Sequence, residues 1–178
     1  MHADLPPSAW VERFAPLIAA DGKVLDLACG SGRHARLLAA AGYRVEAVDR
    51  NAESLAALAG IANITARLAD LEGAPWPYAA GVFDGIVVVN YLFRPRFGDV
   101  MQALKPGGVL IYETFMAGNE KFGKPASPEF LLRPAELLER VGPTMTVVAF
   151  EQGQVTRPRP AVVQRLCAVA SETLPAIP

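Results

Sequence analysis

Apolar residues recur along this chain in two alternating rhythms. After a proline-rich start, Trp10, Val11, Phe14, Leu17 and Ile18 fall at the spacing of one helix face, and Ser8 stands where an N-cap is expected. The pattern closes near Asp21-Gly22. VLDLA (24–28) follows as a short apolar run of the kind buried on both faces of a parallel sheet. GSG leads into RHARLLAAA, a helix stopped by Gly42. The rhythm then repeats, with YRVEAVD as a strand, NAESLAALA as a helix capped by Asn51 and stopped at Gly60, and ITARLAD as a strand. Such alternation predicts a βαβαβ unit.

Farther along, VFDGIVVVN (82–90) is the clearest buried strand, PRFGDVMQAL a helix, KPGG a turn and VLIYETF (109–115) a fifth strand. MAGNEKFGKPASP, from Met116 to Pro128, has no periodicity and is long for a structureless connection; segments of this kind are often functional. We take 116–133 as a substrate-side loop. PAELLERV is the next helix. TMTVVAFEQ and AVVQRLCAVA are strand-like runs joined by GQVTRPRP, and with no helix between them they should pair antiparallel at the end of an otherwise parallel sheet.

At 178 residues and 19.0 kDa the chain fits a single α/β domain, 1–178. Lys and Arg number 17 against 18 Asp and Glu, so nothing draws it toward nucleic acid or an anionic membrane, and a small-molecule partner is expected. Cys29 and Cys167 make neither a disulfide framework nor a zinc cluster; no metal is expected, and a reducing compartment is. The start, MHADLPPSAW, lacks a basic segment followed by an apolar run, and no run of 18 apolar residues is present. A soluble cytoplasmic protein is expected, of undetermined oligomeric state.

The chemistry concentrates in LDLACGSGRHA (25–35). Gly30 to Ala35 fits G-x-G-x-x-A at a strand-to-helix turn, where a ligand approaches backbone closely. Asp49 closes the next strand 17 residues beyond Gly32, where a ribose-binding acid is expected. These features suit any adenosine cofactor, but Asp26 discriminates among them. Like charges about 4 Å apart repel by roughly 1 kcal/mol in water and about 4 kcal/mol at an effective dielectric near 20, so this carboxylate opposes a pyrophosphate and attracts a cation. S-adenosylmethionine (SAM) has a sulfonium, an ammonium and a ribose diol suited to Asp49.

VLDLACGSG resembles motif I of the class I SAM-dependent methyltransferases, an acid followed after two or three small residues by G-x-G, and VEAVDRN resembles their second strand with its ribose acid. The resemblance implies that Asp26 lies near the methionine amino end. Ala28 stands where many members have glycine, a small-for-small change that should still admit the cofactor. ADLE (69–72) is similar to the segment after strand three, which implies adenine contacts from Asp70 and Leu71. FDGIVVVNYLF resembles motif IV, LKPGGVLIYE the turn and strand after it, and the terminal hairpin the family's seventh strand, antiparallel between strands five and six. The implied fold is a Rossmann-like, doubly wound seven-stranded sheet in the order 3-2-1-4-5-7-6. The implied cofactor set is Asp26, Ala28, Cys29, Gly30, Gly32, Asp49, Arg50, Asp70, Leu71 and Asn90. NYLFRP, LIYETF, GNEKFGKP and FLLRPAEL further resemble a bacterial subgroup of small methyltransferases related to tellurite-resistance methyltransferases.

Because SAM carries a good leaving group, methyl transfer by in-line displacement depends mainly on holding the acceptor about 3 Å from the methyl with water excluded. Asn90 and Tyr91, ending strand four, either wall that site or simply pack the strand end. Their segment lacks the prolines of N-P-P-Y, which argues against planar amide and adenine amine acceptors. Glu113 is a base, a substrate ligand or a salt-bridged structural acid. Arg94 and Arg133 either clamp an anionic acceptor or are solvated. His34 suits a neutral capping or packing role, Cys29 has no activating partner, and Tyr112 suits the core. The first helix within 1–22, with Trp10 and Phe14, and the 116–133 loop are the expected lid elements, which implies a small acceptor. The expected activity is thus SAM-dependent methylation of a small molecule. Its rivals are an NAD-dependent oxidoreductase, disfavoured by Asp26 and the hairpin, and a non-catalytic SAM-binding regulator.

Overall fold

Short apolar runs separated by glycine and polar turns become the strands of one sheet in the computed structural model, which describes residues 5–178. The strands are β1 (Lys23–Leu27), β2 (Arg44–Asp49), β3 (Ile64–Leu68), β4 (Phe83–Val89), β5 (Leu104–Phe115), β6 (Thr146–Val155) and β7 (Ala161–Val169). Their order is β3-β2-β1-β4-β5-β7-β6, as the resemblance implies. The first five are mutually parallel, while β7 runs antiparallel to both β5 and β6.

Alternation along the strands splits the core into two layers. Val24, Val87, Val109 and Ile111 pack against α1 (Ala9–Phe14) and α2 (Arg33–Ala40). Leu25, Leu27, Ile86, Val88 and Leu110 pack against α4 (Phe97–Ala103) and α5 (Glu136–Val141). The intervening α3 (Ala52–Ala56) is capped by Asn51, whose side chain accepts from the Ser54 amide. It is shorter than NAESLAALA predicts, because Leu58 turns out of the helix to pack against Gly32. β6 runs past the expected end at Gln152 to Val155, paired with β7 on both sides of a register shift between Val147 and Ala149.

Ser8 caps α1 by accepting from the Trp10 amide at 3.2 Å, and the apolar face of that helix is core: Trp10, Val11 and Phe14 are buried. Trp10 and Phe14, expected in a lid, are therefore interior side chains. Leu5 to Ser8, ahead of the helix, border a surface cavity instead. Residues 1–4 of the 1–22 segment lie outside the described residues. The 116–133 loop forms two short 3-10 turns, Asn119–Lys121 and Pro128–Phe130. Buried Asn119 pins it to β7: its Oδ1 accepts from the Val162 amide at 3.1 Å and its Nδ2 donates to the Pro125 carbonyl at 3.0 Å.

Candidate active site

A cleft of about 790 Å³ opens over the carboxyl ends of the parallel strands, the edge where open α/β sheets hold ligands. Ala28, Asp49, Arg50, Asp70, Leu71, Asn90 and Tyr91 border it, and Lys124 to Ser127 with Phe130 bring the 116–133 loop to its other side. Asp26, Cys29, Gly30 and Gly32 are not among the residues that line it.

The turn after β1 is built from left-handed backbone: Ala28, Gly30 and Gly32 have φ of 53°, 55° and 77°. Gly30 faces open space, whereas a side chain at Gly32 would run into Leu58. Asp49 closes the turn, its Oδ2 accepting from the Gly30 amide at 2.8 Å and its Oδ1 from the Asn51 amide at 2.9 Å. Each oxygen keeps a lone pair for a further donor. Ala28 is the one non-glycine among the three left-handed residues, which explains why glycine is common there: an L side chain in that region is strained by about 1 kcal/mol. Ala28→Gly is expected to raise stability slightly, by up to about 0.5 kcal/mol after the unfolded-state entropy of glycine is offset, and with it the urea midpoint. An unchanged or lower midpoint would show that the turn is relaxed around alanine.

Asp26 projects into the layer that β1 shares with α1 and α2, where its strand neighbour Val24 packs among apolar side chains. It is 1% exposed, and its Oδ2 has no hydrogen-bond partner among the described residues. Burial pushes its pKa up to about 7; the Ala35 amide and Arg33 pull it back, and Asp49 adds to the rise. The same burial, reinforced by Asp26 and Asp49, pushes the Cys29 thiol upward, so Cys29 is not a thiolate nucleophile. Burial and then Arg33 hold His34 down to about 3, and its neutral Nε2 accepts from the Ser8 amide at 3.1 Å.

Asn90 leaves β4 in left-handed backbone, φ 58°, and its amide donates to the Glu113 carbonyl at 2.9 Å. Tyr91 has a buried hydroxyl without a hydrogen-bond partner among the described residues; burial, then nearby Glu72, push its pKa up. Tyr112 is in the core and donates to the Tyr91 carbonyl at 2.8 Å, which ties the two strand ends together. The Gly73 and Glu72 amides hold the Asp70 carboxyl below its usual range despite slight opposing desolvation, so it faces the cleft as an anion. Glu113 borders a second cavity, accepts from Ser8 Oγ at 2.8 Å and lies 2.9 Å from Arg165 Nε, the geometry of a paired acid.

The two arginines expected to clamp an anion are not at the cleft. Arg94 donates to both oxygens of buried Glu136, at 2.8 and 2.9 Å, and to the Glu129 and Leu131 carbonyls at 2.7 and 2.8 Å. Arg133 is 63% exposed and pairs with Glu136 and Glu139. Neither lines the cleft: buried Glu136 holds Arg94, and Glu136 and Glu139, three and six residues along the chain, hold Arg133. The arginine that does reach the cleft beside Arg50 is Arg159, from GQVTRPRP. Two arginines in a hairpin tip were the available signal, readable only once the direction of β7 is known.

The methyltransferase-domain family matches residues 24–108. Protein-L-isoaspartate O-methyltransferase of Chlorobaculum tepidum is 36% identical over 101 residues, 51% of this chain and 43% of that protein, so the chain spans less than half the length of this curated relative. Among solved structures, TehB of Haemophilus influenzae is similar at a TM-score of 0.73 and 23% identity, over 89% of this chain and 60% of that one. The 1,6-didemethyltoxoflavin-N1-methyltransferase of Burkholderia thailandensis, solved with 1,6-didemethyltoxoflavin and S-adenosylhomocysteine, is similar at 0.70 and 20% identity, over 92% of this chain and 77% of that one. The family segment spans β1 to the start of β5, and the whole sheet, in the order β3-β2-β1-β4-β5-β7-β6, has the fold of these SAM-dependent methyltransferase structures.

Proposed function

We propose that this protein transfers the methyl group of SAM to a small-molecule acceptor. The observation that carries this is Asp26: an acid buried in an apolar layer behind the glycine turn, with one oxygen unpartnered among the described residues, suits a ligand that brings positive charge to that turn. A pyrophosphate there would meet Asp26 and Asp49 together, which argues against a dinucleotide cofactor.

When bound, SAM supplies an electrophilic methyl on a sulfonium leaving group. Asp49 offers its two free lone pairs to the ribose hydroxyls, Asp70 and Leu71 border the adenine end, Ala28 meets the cofactor at the turn that Cys29, Gly30 and Gly32 shape, and Arg50 is at the rim. Asn90 and Tyr91 border the acceptor end, and the 116–133 loop narrows access of water. Tyr91 stays protonated and Glu113 is paired, so the residues present favour positioning over strong general-base catalysis. A nucleophile that is already anionic, or an acid of ordinary acidity, fits that limitation best. Action in the cytoplasm, without nucleic acid or membrane as partner, belongs to the same reading; no helix among the described residues is long and apolar enough to cross a membrane.

Thermal shifts with SAM, S-adenosylhomocysteine and NADH test the cofactor, and stabilisation by NADH alone would sink the proposal. Formation of S-adenosylhomocysteine against thiols, oxyanions, small acids and an isoaspartyl peptide then separates an enzyme from a regulator and a small acceptor from a protein one. Asp49→Ala is expected to weaken SAM binding by about 1 to 3 kcal/mol, roughly 5- to 150-fold, through the lost ribose acceptor. Calorimetric affinity equal to that of the unmodified protein would remove Asp49 from the site.

A further inference from the structure

Beside the cleft, and sharing Asn90, Phe115 and Arg159 with it, lies a second cavity of about 520 Å³. Its walls are the segment ahead of α1, the first residue of α2, the ends of β4 and β5, and the β6–β7 hairpin. Among the described residues four arginines line it, Arg33, Arg157, Arg159 and Arg165, against a single acid, Glu113. Glu113 and Arg165 are direct cross-strand partners, and Glu151 faces Arg165 from the other side, 3.5 Å from Nη1. Set against these two acids, the four guanidinium groups leave a net excess of positive charge, and it falls on the arginines of the hairpin tip. Arg33 donates to the Pro6 carbonyl at 2.9 Å and feels Glu113 and Asp26. Arg159 lies over the Phe115 ring, 5.6 Å from its centre, at the boundary between the two cavities. Neither Arg157 nor Arg159 is paired with a carboxylate among the described residues. The rest of the lining is largely apolar, with Leu5, Pro7, Val155 and Val163 among it.

We propose that this cavity holds the carboxylate end of an organic-acid acceptor with an apolar body, gripped by Arg157 and Arg159 while its far end reaches the methyl-transfer site past Asn90. Guanidinium groups crowded into one cavity repel each other, and a ligand carboxylate supplies a counter-charge that no described residue gives Arg157 and Arg159. Their planar forks match a carboxylate in two-point contact. The apolar walls select a hydrocarbon or aromatic body over a bare inorganic anion. This assignment rests on the methyltransferase reading above and narrows its acceptor to one chemical class.

Calorimetry on the full chain, first with S-adenosylhomocysteine and then on that complex with benzoate, benzamide, 3-phenylpropanoate, 3-phenylpropanamide and inorganic phosphate, tests it. At least one acid is expected to bind about tenfold or more tightly than its amide and than phosphate. Arg157→Gln, a change at an exposed hairpin position, is expected to weaken that acid about 10- to 100-fold and to leave S-adenosylhomocysteine affinity unchanged, with Arg157→Lys recovering part of the loss. Acids and amides binding alike, none of the five binding, phosphate matching the acids, or an acid indifferent to Arg157→Gln would each overturn the assignment. Failure to bind S-adenosylhomocysteine would instead bring down the methyltransferase reading, and the acceptor assignment with it.

Discussion

Glu136→Ala is expected to lower stability by about 3 kcal/mol and to loosen the loop side of the cleft at the same time. Glu136 is fully buried at the start of α5, yet its pKa is held near 2. Burial opposes ionisation there; two Arg94 hydrogen bonds, the Arg133 amide and Arg140 outweigh it. Truncation leaves Arg94 and Arg140 without their anion, and partial exposure of both side chains, 27% and 31%, keeps the loss at the lower end for a broken buried pair. Arg94 also holds the Glu129 and Leu131 carbonyls, so the fault spreads to Phe130 and the cleft wall. Urea denaturation measures the first effect and limited proteolysis within 116–133 the second. A loss below about 1 kcal/mol would reduce the network to the value of an exposed pair. In the unmodified protein the Glu136 contribution is present above the ordinary glutamate pKa and is lost as pH falls from about 4.5 toward 2, so acid unfolding should be shifted upward in pH by the alanine variant.

Asp26→Asn is expected to move stability and function in opposite directions. With its pKa raised to about 7, Asp26 binds a proton in the folded protein at pH values where the unfolded chain has released it. Folded stability without ligand therefore falls as pH rises from about 4 to 7, by up to roughly 4 kcal/mol. Asparagine removes that dependence. At pH 8 the ligand-free variant should be more stable by about 1 to 3 kcal/mol, the buried amide donor subtracting part of the gain. A ligand that is cationic at the turn favours the ionised acid, so SAM affinity of the unmodified protein should drop about tenfold per pH unit below 7, while the variant binds weakly at every pH. Thermal melts and calorimetry across pH 5 to 8 check both limbs. A variant less stable at pH 8, or one with unaltered SAM affinity, would show that Asp26 has its partner within the protein.

Asp26 was legible because a charge inside VLDLA stands out against the apolar run, and β4 was legible because GIVVV is apolar on both faces. The direction of the last hairpin followed from the lack of a crossover helix. The fate of Arg94 was not legible: its partner is 42 residues away in PAELLERV, where a glutamate looks like any solvent-facing helix acid. The same is true of the paired state of Glu113, set by Arg165 across strands and by Ser8 from a segment 105 residues upstream. Period and composition report which face a residue takes. They do not report which distant charge arrives beside it.

Because β7 runs against β5, β6 ends and β7 begins at the carboxyl edge of the sheet, and the turn between them joins the rim of the cavities. A parallel last strand would have carried that turn to the opposite edge. The glycine turn, residues 28–32, and the hairpin tip, residues 156–160, thus belong to distant stretches of chain that both reach the same cleft, through Ala28 and Arg159. The last pair of the β6–β7 ladder is Val155 with Ala161, so the tip can change in length or charge without touching a strand pair, and under the proposed function that would alter the acceptor side of the cleft and spare the turn at residues 28–32.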